Sequence, residues 1–309
     1  MNDTIAVLIP CYNEEPTIAK VVQDFRRELP EAHIYVYDNN STDHTIDEAK
    51  AAGAITRQEL RQGKGNVVRS MFRNIDADIY LMVDGDDTYP AEDARRLIQM
   101  VSEEKCDMAV GDRLSGTYHK VNSRKWHSFG NKLVRWLINR IFHTELHDIM
   151  SGYRAMSRRF VKHFPVQSEG FGIETEMTIF ALNHCFAVSE TAINYRERIE
   201  GSTSKLNTFS DGLVVLTTIT TLFRDIKPMT FFSFFAALLA LVSIIMVTPV
   251  YLEYLDTGLV PRFPTLIVAG FIMLVAILLW VCGIILTVIG AGQKKLYELL
   301  LFADSGKQE

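Results

Sequence analysis

The sequence predicts an α/β domain with a mostly parallel β-sheet, followed by a C-terminal hairpin of two transmembrane helices. Two observations lead to this prediction. Short β-rich runs alternate with polar helical stretches through the first two-thirds of the chain, which is the pattern of βαβ units. Two long runs near the C-terminus are apolar and contain no charged residue. With 48% hydrophobic and 22% charged side chains among 309 residues, the composition excludes a disordered chain.

The elements of the α/β domain follow one another in a regular order. We predict strand, helix, strand and helix over the segments Ile5–Ile9, Glu15–Glu28, Ile34–Tyr37 and Thr42–Ala52. Further strands are predicted at Ile79–Val83 and Met108–Val110. We expect Pro10 to end the first strand and Ser41 to cap the second helix. Ligands of α/β proteins bind in the loops that follow such strands.

Charge and cysteine content exclude two classes of protein. Lys plus Arg number 32 against 37 Asp plus Glu, and the formal net charge of −5 argues against binding along a nucleic-acid backbone. The four cysteines are scattered, with no C-x-x-C spacing for zinc and no dense framework for disulfides. We therefore expect reduced, buried thiols and no nucleic-acid partner.

The two apolar runs predict membrane-spanning helices. Met229–Leu252 and Phe263–Gln293 each exceed the roughly 20 residues that a helix needs to cross hydrocarbon. A pair of buried core helices is the weaker alternative, because core helices rarely stay apolar on every face for so long. Basic residues flank the hairpin outside both spans, so we expect both termini in the cytoplasm; these residues are Arg224, Lys227, Lys294 and Lys295.

The segments next to the membrane complete the predicted organisation. MNDTIAVLIP has no basic n-region, so we expect no signal peptide and a cytosolic domain at the inner membrane. Phe129–Phe142 mixes apolar and basic residues and predicts a helix lying either at the membrane face or against the domain. Phe209–Ile226 predicts a helix that leads into the first span. The expected parts are a catalytic domain at 1–208, a juxtamembrane helix at 209–228, two transmembrane helices at 229–292 and a cytosolic tail at 293–309.

The strongest local signal for chemistry is the acidic turn DGDD after the Ile79–Val83 strand. Its carboxylates, those of Asp84, Asp86 and Asp87, repel one another unless a cation joins them. Hard oxygen ligands at a strand end suit Mg²⁺ or Mn²⁺, which also bind diphosphate oxygens. The turn thus predicts a divalent cation and a nucleotide diphosphate. The alternative is a solvated acidic turn in which Asp87 caps the next helix.

Polar residues also follow the first two strands. They occur in IPCYNEE at residues 9–15 and in VYDNNSTDHT at residues 36–45. Asp38 is suited to accept hydrogen bonds from a base or a ribose. RQGKGN at residues 61–66 offers Lys64 between two glycines, where it would lie beside phosphates. An ordinary surface turn is the alternative, and the spacing is not that of a P-loop.

IPCYNEE, the Asp38 turn, GKGN and DGDD occur in an order that resembles the family 2 glycosyltransferases with the GT-A fold. The C-terminal half resembles the polyprenyl-phosphate glycosyltransferases, the group containing dolichol-phosphate mannose synthase and bacterial relatives with a two-helix anchor. The resemblance implies a Rossmann-like GT-A domain and transfer of a sugar from a nucleotide diphosphate to a lipid phosphate. It also implies that the nucleobase and ribose contact Pro10, Tyr12, Glu14 and Asp38, that Lys64 and Asp84 border the nucleotide, and that the metal ligands are Asp84 and Asp86, with Asp86 the principal one.

Further segments match what would be the acceptor side of this family. They are GDR at 111–113, DIMSGYR at 148–154 and RERIEGSTSK at 196–205. The resemblance implies that Arg113, Arg198 and Lys205 bind the acceptor phosphate; ordinary surface solvation is the alternative. Glu174 and Glu176, in the segment FGIETE, either shape a sugar pocket or begin a helix.

The resemblance also implies a reaction. A lipid phosphate oxygen attacks the anomeric carbon and UDP leaves, so a single displacement inverts the anomeric centre. We expect Asp86, Arg113 and Asp148 to be catalytic, with Asp148 orienting the sugar or acting in a base-like way. Thr88 stands where many relatives have an amide, so its contact with the metal is expected to be weak, water-mediated or absent.

The expected donor is UDP-glucose or UDP-N-acetylglucosamine, and the expected acceptor is undecaprenyl phosphate. The product is then a β-linked polyprenyl-phosphate sugar, formed with Mg²⁺ or Mn²⁺ by a homo-oligomer. A processive polysaccharide synthase is one alternative, but its Q-x-x-R-W motif is matched only by KLVRW at residues 132–136. A membrane scaffold that binds UDP without turnover is the other.

Overall fold

The computed structural model describes residues 3–115, 125–168, 172–196, 220–221 and 223–305. It divides into two units, Met1–Thr208 and Phe209–Glu309. The strands and helices of the first unit are, in chain order, β1 (Ile5–Cys11), α1 (Glu15–Glu28), β2 (His33–Asp38), α2 (Thr45–Ala51), β3 (Ile55–Gln58), α3 (Lys64–Asn74), β4 (Ile79–Met82), α4 (Ala94–Ser102), β5 (Met108–Asp112), α5 (Lys125–Phe142), β6 (Arg154–Ser157), α6 (Arg158–His163), α7 (Ile173–Asn183) and β7 (Val188–Ala192).

The described strands form one seven-stranded sheet in the order β3-β2-β1-β4-β6-β5-β7. β1 pairs in parallel with β2 and with β4, β3 pairs in parallel with β2, and β7 pairs in parallel with β5. β6 lies antiparallel between β4 and β5. The predicted α/β fold with a mostly parallel sheet is confirmed.

Pro10 does not end β1, which continues to Cys11. Along β1, the register with β4 stops at Leu8, whereas the register with β2 continues to Cys11 opposite Asp38. The carbonyl of Leu8 accepts from Val83 on the β4 side, and that of Cys11 accepts from Asn39 on the β2 side. Since alternate residues face opposite neighbours, the donor that proline lacks would point beyond the end of β4, where the ladder does not need it.

α1 shows how the predicted helices pack. Its buried residues Ile18, Val21, Val22 and Phe25 recur at helical spacing and face the sheet core, which is built from β1, β2, β4 and α4 side chains. Phe25 meets Tyr153 edge to face, with ring centroids 6.1 Å apart. The helix therefore joins the central strands to the segment that precedes β6.

Several sequence-based boundaries were wrong. α2 begins at Thr45, and the hydroxyl of Ser41 accepts from the Asn13 N–H instead of capping the helix. β3, β6 and β7 were not predicted. β3 is a short edge strand with mostly exposed side chains, and β6 carries a buried arginine, so neither has the alternating pattern by which strands are recognised.

Helix α5, predicted at Phe129–Phe142, is found at Lys125–Phe142. Val134, Ile138 and Ile141 form its buried face, so the prediction that it packs against the domain is confirmed for that face. Trp136 on the opposite side is 61% exposed. Whether this side contacts the membrane stays a prediction.

The second unit contains two long apolar helices, α8 (Pro228–Thr257) and α9 (Phe263–Ser305). Both are long and apolar enough to cross a membrane. The Ser243 hydroxyl donates to the Ala269 carbonyl at 2.8 Å, and Gly283 packs against Phe232, so the two helices run antiparallel. α9 continues beyond the predicted end of the second span at Gln293.

Arg154 is a buried cation in the middle of the sheet, with 0% of its surface exposed. Its guanidinium donates to the carbonyls of Ile149 and Ser151, at 2.5 and 2.8 Å, and to the Thr178 hydroxyl at 2.8 Å. Burial lowers the pKa of Arg154 to about 10, which leaves it protonated at neutral pH. Arg154 therefore ties the loop before β6 to helix α7.

Replacing this cation should destabilise the domain. In Arg154→Leu the two carbonyls lose their donor inside the core, so we expect the free energy of unfolding to fall by about 3 kcal/mol, a decrease in Tm of roughly 6–12 °C. Thermal denaturation of the detergent-purified protein at one heating rate measures this. Arg158→Leu is the control, since Arg158 is partly exposed and pairs with Asp76 at the surface. Equal losses in the two variants would contradict the assignment.

Candidate functional site

Three loops meet at the carboxyl edge of β1, β2 and β4. Because these strands are parallel, the segments that follow them emerge on the same side of the sheet. The Ser41 hydroxyl accepts from the Asn13 N–H at 2.8 Å and so joins the first two loops. The Thr17 hydroxyl donates to the Gly85 carbonyl at 2.7 Å and joins α1 to the acidic turn. The sheet edge thus brings together the polar segments that the sequence singled out.

Asp38 ends β2 and is 2% exposed. Its Oδ2 accepts from the Ser41 N–H at 3.1 Å, whereas its Oδ1 is buried and has no hydrogen-bond partner among the described residues. On the neighbouring segment, Pro10 lies in β1, and Tyr12 and Glu14 lie in the loop after it; all three are partly exposed. A buried acceptor oxygen is costly without a donor, so Oδ1 is a candidate acceptor for an N–H or O–H group of a ligand.

Lys64 is the first residue of α3, and the loop before it is fixed by side-chain hydrogen bonds. Gly63 has a φ of 124°, which favours glycine, and its N–H donates to the Asn39 amide oxygen at 2.6 Å. The Lys64 ammonium lies 2.5 Å from an Asp84 oxygen and 2.5 Å from a Glu174 oxygen. Burial opposes its charge, but the two carboxylates outweigh burial and raise the pKa of Lys64 above its ordinary value.

The acidic turn after β4 separates its three carboxylates into different environments. Asp86 is buried, and its Oδ1 accepts from the Thr88 hydroxyl at 2.6 Å. Asp87, at a φ of 57°, accepts from the Lys20 ammonium at 2.6 Å. The alternative in which Asp87 caps the next helix is wrong, because its side chain pairs with α1. Thr88 acts on the carboxylate of Asp86.

These residues fit a divalent cation. Asp84 and Asp86, two residues apart in the turn, offer hard oxygen ligands, and Asp87 is held aside by Lys20. The carboxylates of Asp84, Asp86 and Glu174 outnumber the Lys64 ammonium at this edge, so the local charge is negative. Mg²⁺ or Mn²⁺ would balance that charge and would leave positions open for oxygen atoms of a ligand.

The loop before β6 reaches the acidic turn at Gly152. A Cβ atom added to Gly152 would lie 2.6 Å from Asp84 Oδ2, closer than real Cβ contacts come. The Gly152 N–H also donates to the Tyr89 hydroxyl at 3.0 Å. Glycine at position 152 therefore leaves room for the Asp84 carboxylate. This contact was not predicted from the sequence.

Arg113 and Asp148 form a close ion pair beside this loop. The Arg113 guanidinium donates to both Asp148 oxygens, at 2.6 and 2.9 Å, and its backbone N–H donates at 3.1 Å. Arg113 also lies over the Tyr195 ring, 5.7 Å from its centroid. The structure thus brings together two of the predicted catalytic residues, and it places the Asp148 carboxylate in a bidentate contact.

A cluster that the sequence did not reveal lies next to this pair. Ligand atoms of Asp112, His147 and Glu190 all lie within 4.8 Å of one another, which makes them a possible cation-binding group. Glu190 accepts from the backbone N–H groups of His147 and Asp148, at 2.6 and 2.8 Å, and burial raises its pKa. Three separate segments supply the group, so no local sequence pattern marks it.

The predicted donor-side residues share the edge of β1, β2 and β4. Arg113 and Asp148 lie after β5 and before β6, joined to that edge through Gly152. The remaining predicted phosphate ligands, Arg198 and Lys205, lie outside the described residues.

Comparison with known proteins identifies a family and its relatives. Residues 6–164 of the 309 match the family described as glycosyl transferase family 2. Protein RfbJ of Shigella flexneri is 57% identical over 109 residues, which cover 35% of this chain and 84% of RfbJ. The dolichyl-phosphate hexose transferase of Haloferax volcanii is 28% identical over 213 residues, covering 69% of this chain and 91% of that protein.

A solved structure shows the same fold. The glucosyl-3-phosphoglycerate synthase of Mycobacterium tuberculosis, in complex with Mn²⁺, UDP and glucosyl-3-phosphoglycerate, superposes with a TM-score of 0.59 at 22% identity. The match covers 72% of this chain and 79% of that one. The first unit therefore has the GT-A-like architecture expected from the sequence.

The Arg113–Asp148 pair predicts a difference between two otherwise similar substitutions. Asp148→Asn leaves a mostly buried guanidinium without its anionic partner, so we expect the free energy of unfolding to fall by about 2 kcal/mol. Asp76→Asn breaks an exposed pair with Arg158 and should change the stability by less than about 1 kcal/mol. Thermal denaturation of both variants tests this. An unchanged free energy of unfolding in Asp148→Asn would show that the Arg113–Asp148 pair adds no stability.

Proposed function

Because the chain belongs to glycosyl transferase family 2, we propose that it transfers a hexose or hexosamine from a nucleotide-diphosphate sugar to a polyprenyl phosphate. The observation that carries this proposal is the convergence of Asp38, Lys64, Asp84 and Asp86 at one sheet edge, with two helices able to cross a membrane in the same chain. The edge offers groups for a base, a diphosphate and a cation, and the helices suit a lipid acceptor.

We propose UDP-glucose or UDP-N-acetylglucosamine as the donor. The Asp38 Oδ1, which is buried and has no hydrogen-bond partner in the described part of the chain, supports a contact with the base or ribose, beside Pro10, Tyr12 and Glu14. Lys64 is held in a protonated state and would neutralise the diphosphate. The solved structure of similar fold contains UDP and Mn²⁺, which agrees with this choice of donor.

Asp84 and Asp86 would hold Mg²⁺ or Mn²⁺, which when bound supplies positive charge to the leaving diphosphate. Thr88 would keep Asp86 in one orientation through its 2.6 Å hydrogen bond. Glu174 and Asp84 keep the Lys64 ammonium at the site before the donor arrives. Stabilisation of the leaving group is then the main contribution of these side chains.

The acceptor would be undecaprenyl phosphate. Relatedness to a dolichyl-phosphate hexose transferase supports a polyprenyl phosphate, and α8 and α9 are suited to the bilayer that contains such a lipid. Arg113, with Arg198 and Lys205, would bind the phosphate. A phosphate oxygen needs little deprotonation, so Asp148 would act by orienting Arg113 and the sugar. A single displacement would invert the anomeric centre and give a β-linked product.

We further propose an inner-membrane protein whose termini and catalytic domain are cytoplasmic, and which assembles as a homo-oligomer. The basic residues outside both spans support this orientation. The proposed parts are a glycosyltransferase domain at 1–208, a juxtamembrane helix at 209–228, transmembrane helices at 229–292 and a tail at 293–309.

Transfer of radiolabel from a panel of UDP- and GDP-sugars to undecaprenyl phosphate, in detergent with Mg²⁺ or Mn²⁺, tests the function. We expect a lipid-extractable, mild-acid-labile product from a UDP-sugar. Asp86→Ala should lower the rate at least about 100-fold, since a carboxylate at the leaving group is lost. Asp47→Ala is the control, because Asp47 is exposed on α2, and it should retain the wild-type rate.

The outcomes separate the alternatives. Binding of UDP with no lipid product from any donor would overturn the lipid acceptor and favour a scaffold. A polymeric product would favour a processive synthase. Equal activity of Asp86→Ala and Asp47→Ala would remove Asp86 from the mechanism.

The Gly152 contact gives a second prediction. In Gly152→Ala the new methyl group would displace the Asp84 carboxylate, so UDP affinity in the presence of Mn²⁺ should fall about tenfold. Gly172→Ala is the matched control, because its Cβ would lie no nearer than 3.6 Å from the Ser168 hydroxyl. Titration calorimetry measures both. Unchanged affinity in Gly152→Ala would show that Asp84 does not need its observed position.

A further inference from the structure

Glu174 is a buried carboxylate in the first turn of α7, and its side chain is 9% exposed. Its Oε1 lies 2.5 Å from the Lys64 ammonium, and the start of a helix also favours negative charge. A buried carboxylate without a cationic partner is costly, and the Lys64 ammonium is that partner for Glu174. The segment that carries it is far from Lys64 in sequence, 110 residues away.

The Lys64 ammonium contacts two carboxylates, and the proposed function gives these carboxylates different roles. Asp84 lies in the acidic turn, where the proposed cation would bind, whereas Glu174 lies on α7. In the proposed function the divalent cation and the donor diphosphate both act on the group formed by Lys64, Asp84 and Glu174. A cation at Asp84 repels the ammonium, and the diphosphate attracts it.

We propose that Glu174 is a positioning residue that governs how Lys64 is shared between Asp84 and the donor diphosphate. This inference rests on the proposed function, because it needs a cation at Asp84 and a diphosphate at Lys64. Glu174 touches neither ligand in this scheme and acts through the lysine.

Two effects of opposite sign follow for the removal of its charge. When a cation takes Asp84, Glu174 gives the buried ammonium an anionic partner; without that charge Lys64 stays on Asp84 and opposes the cation. When the diphosphate arrives, Glu174 competes with it for Lys64; without that charge the ammonium is fully available to the diphosphate. Loss of the Glu174 charge should therefore weaken binding of the cation alone and strengthen binding of UDP once the cation is present.

The test uses the full-length protein and the variant Glu174→Gln, which keeps the size of the side chain. Binding of Mn²⁺ without nucleotide is followed by electron paramagnetic resonance, and binding of UDP at saturating Mn²⁺ by calorimetry. We expect the Kd for Mn²⁺ to rise about five- to tenfold and the Kd for UDP to fall about fivefold. Glu174→Asp keeps the charge on a shorter side chain and should lie closer to the wild type in both constants.

Glu176→Gln is the matched control on the same helix. The Glu176 carboxylate accepts from the backbone N–H groups of Gln167 and Ser168, at 2.7 and 2.8 Å, so its loss perturbs the loop before α7 while Lys64 keeps its partners. Both constants should stay within about twofold of the wild type.

The opposite changes in the two constants distinguish this role from a structural one. If Glu174→Gln weakens both Mn²⁺ and UDP, a merely structural role is indicated and the proposal is overturned. If UDP affinity is unchanged while affinity for the UDP-sugar falls, Glu174 contacts the sugar and the proposal is also overturned. A wild-type protein that binds no UDP with Mn²⁺ would instead overturn the proposed function itself, a result that needs no variant.

Discussion

The ammonium of Lys64 lies between carboxylates from two distant parts of the chain, and the arrangement of the site depends on this contact. Asp84 comes from the turn after β4, and Glu174 from the first turn of α7. Only 11% of the Lys64 side chain is exposed, so the ammonium lies in a region of low dielectric. If one of the two carboxylates were removed, the charge of this ammonium would be poorly compensated. The three groups therefore fix α3, the acidic turn and α7 relative to one another.

A second buried cation makes that geometry rigid. Arg154 donates to the loop that contains Gly152 and to Thr178 on α7, while the Thr178 hydroxyl also donates to the Glu174 carbonyl. Gly152 in turn lies against the Asp84 carboxylate and limits where that carboxylate can lie. Both partners of Lys64 are thus positioned from the same guanidinium, one through the loop before β6 and one through α7. Hydrogen bonds of buried groups are costly to leave unmade, so such a connected set resists partial rearrangement.

The sequence predicts the parts of this site that local patterns carry. βαβ alternation places Asp38 and Asp84 at strand ends, and parallel strands bring those ends together without further information. Contacts between side chains that only tertiary packing brings together leave no such pattern in the sequence. FGIETE is equally compatible with a helix start and with a binding role, and only the fold pairs Glu174 with Lys64. β6 was not predicted for the same reason. Arginine is usually a surface residue, and only the folded structure shows the acceptors that allow Arg154 to be buried in this strand.

The cations assigned to anionic substrates are already paired with carboxylates, Lys64 with Asp84 and Glu174, and Arg113 with Asp148. Binding of a phosphate group is therefore an exchange of one anion for another, and its free energy is a difference between two charge-assisted contacts. An anion with the charge and shape of a carboxylate gains little from the exchange. In the proposed function a diphosphate accompanied by a divalent cation gains more, because the cation occupies Asp84, one of the two carboxylates that hold the lysine. In the proposed function, selectivity for a metal-bound diphosphate would therefore arise from the internal ion pairs of the site as well as from direct contacts.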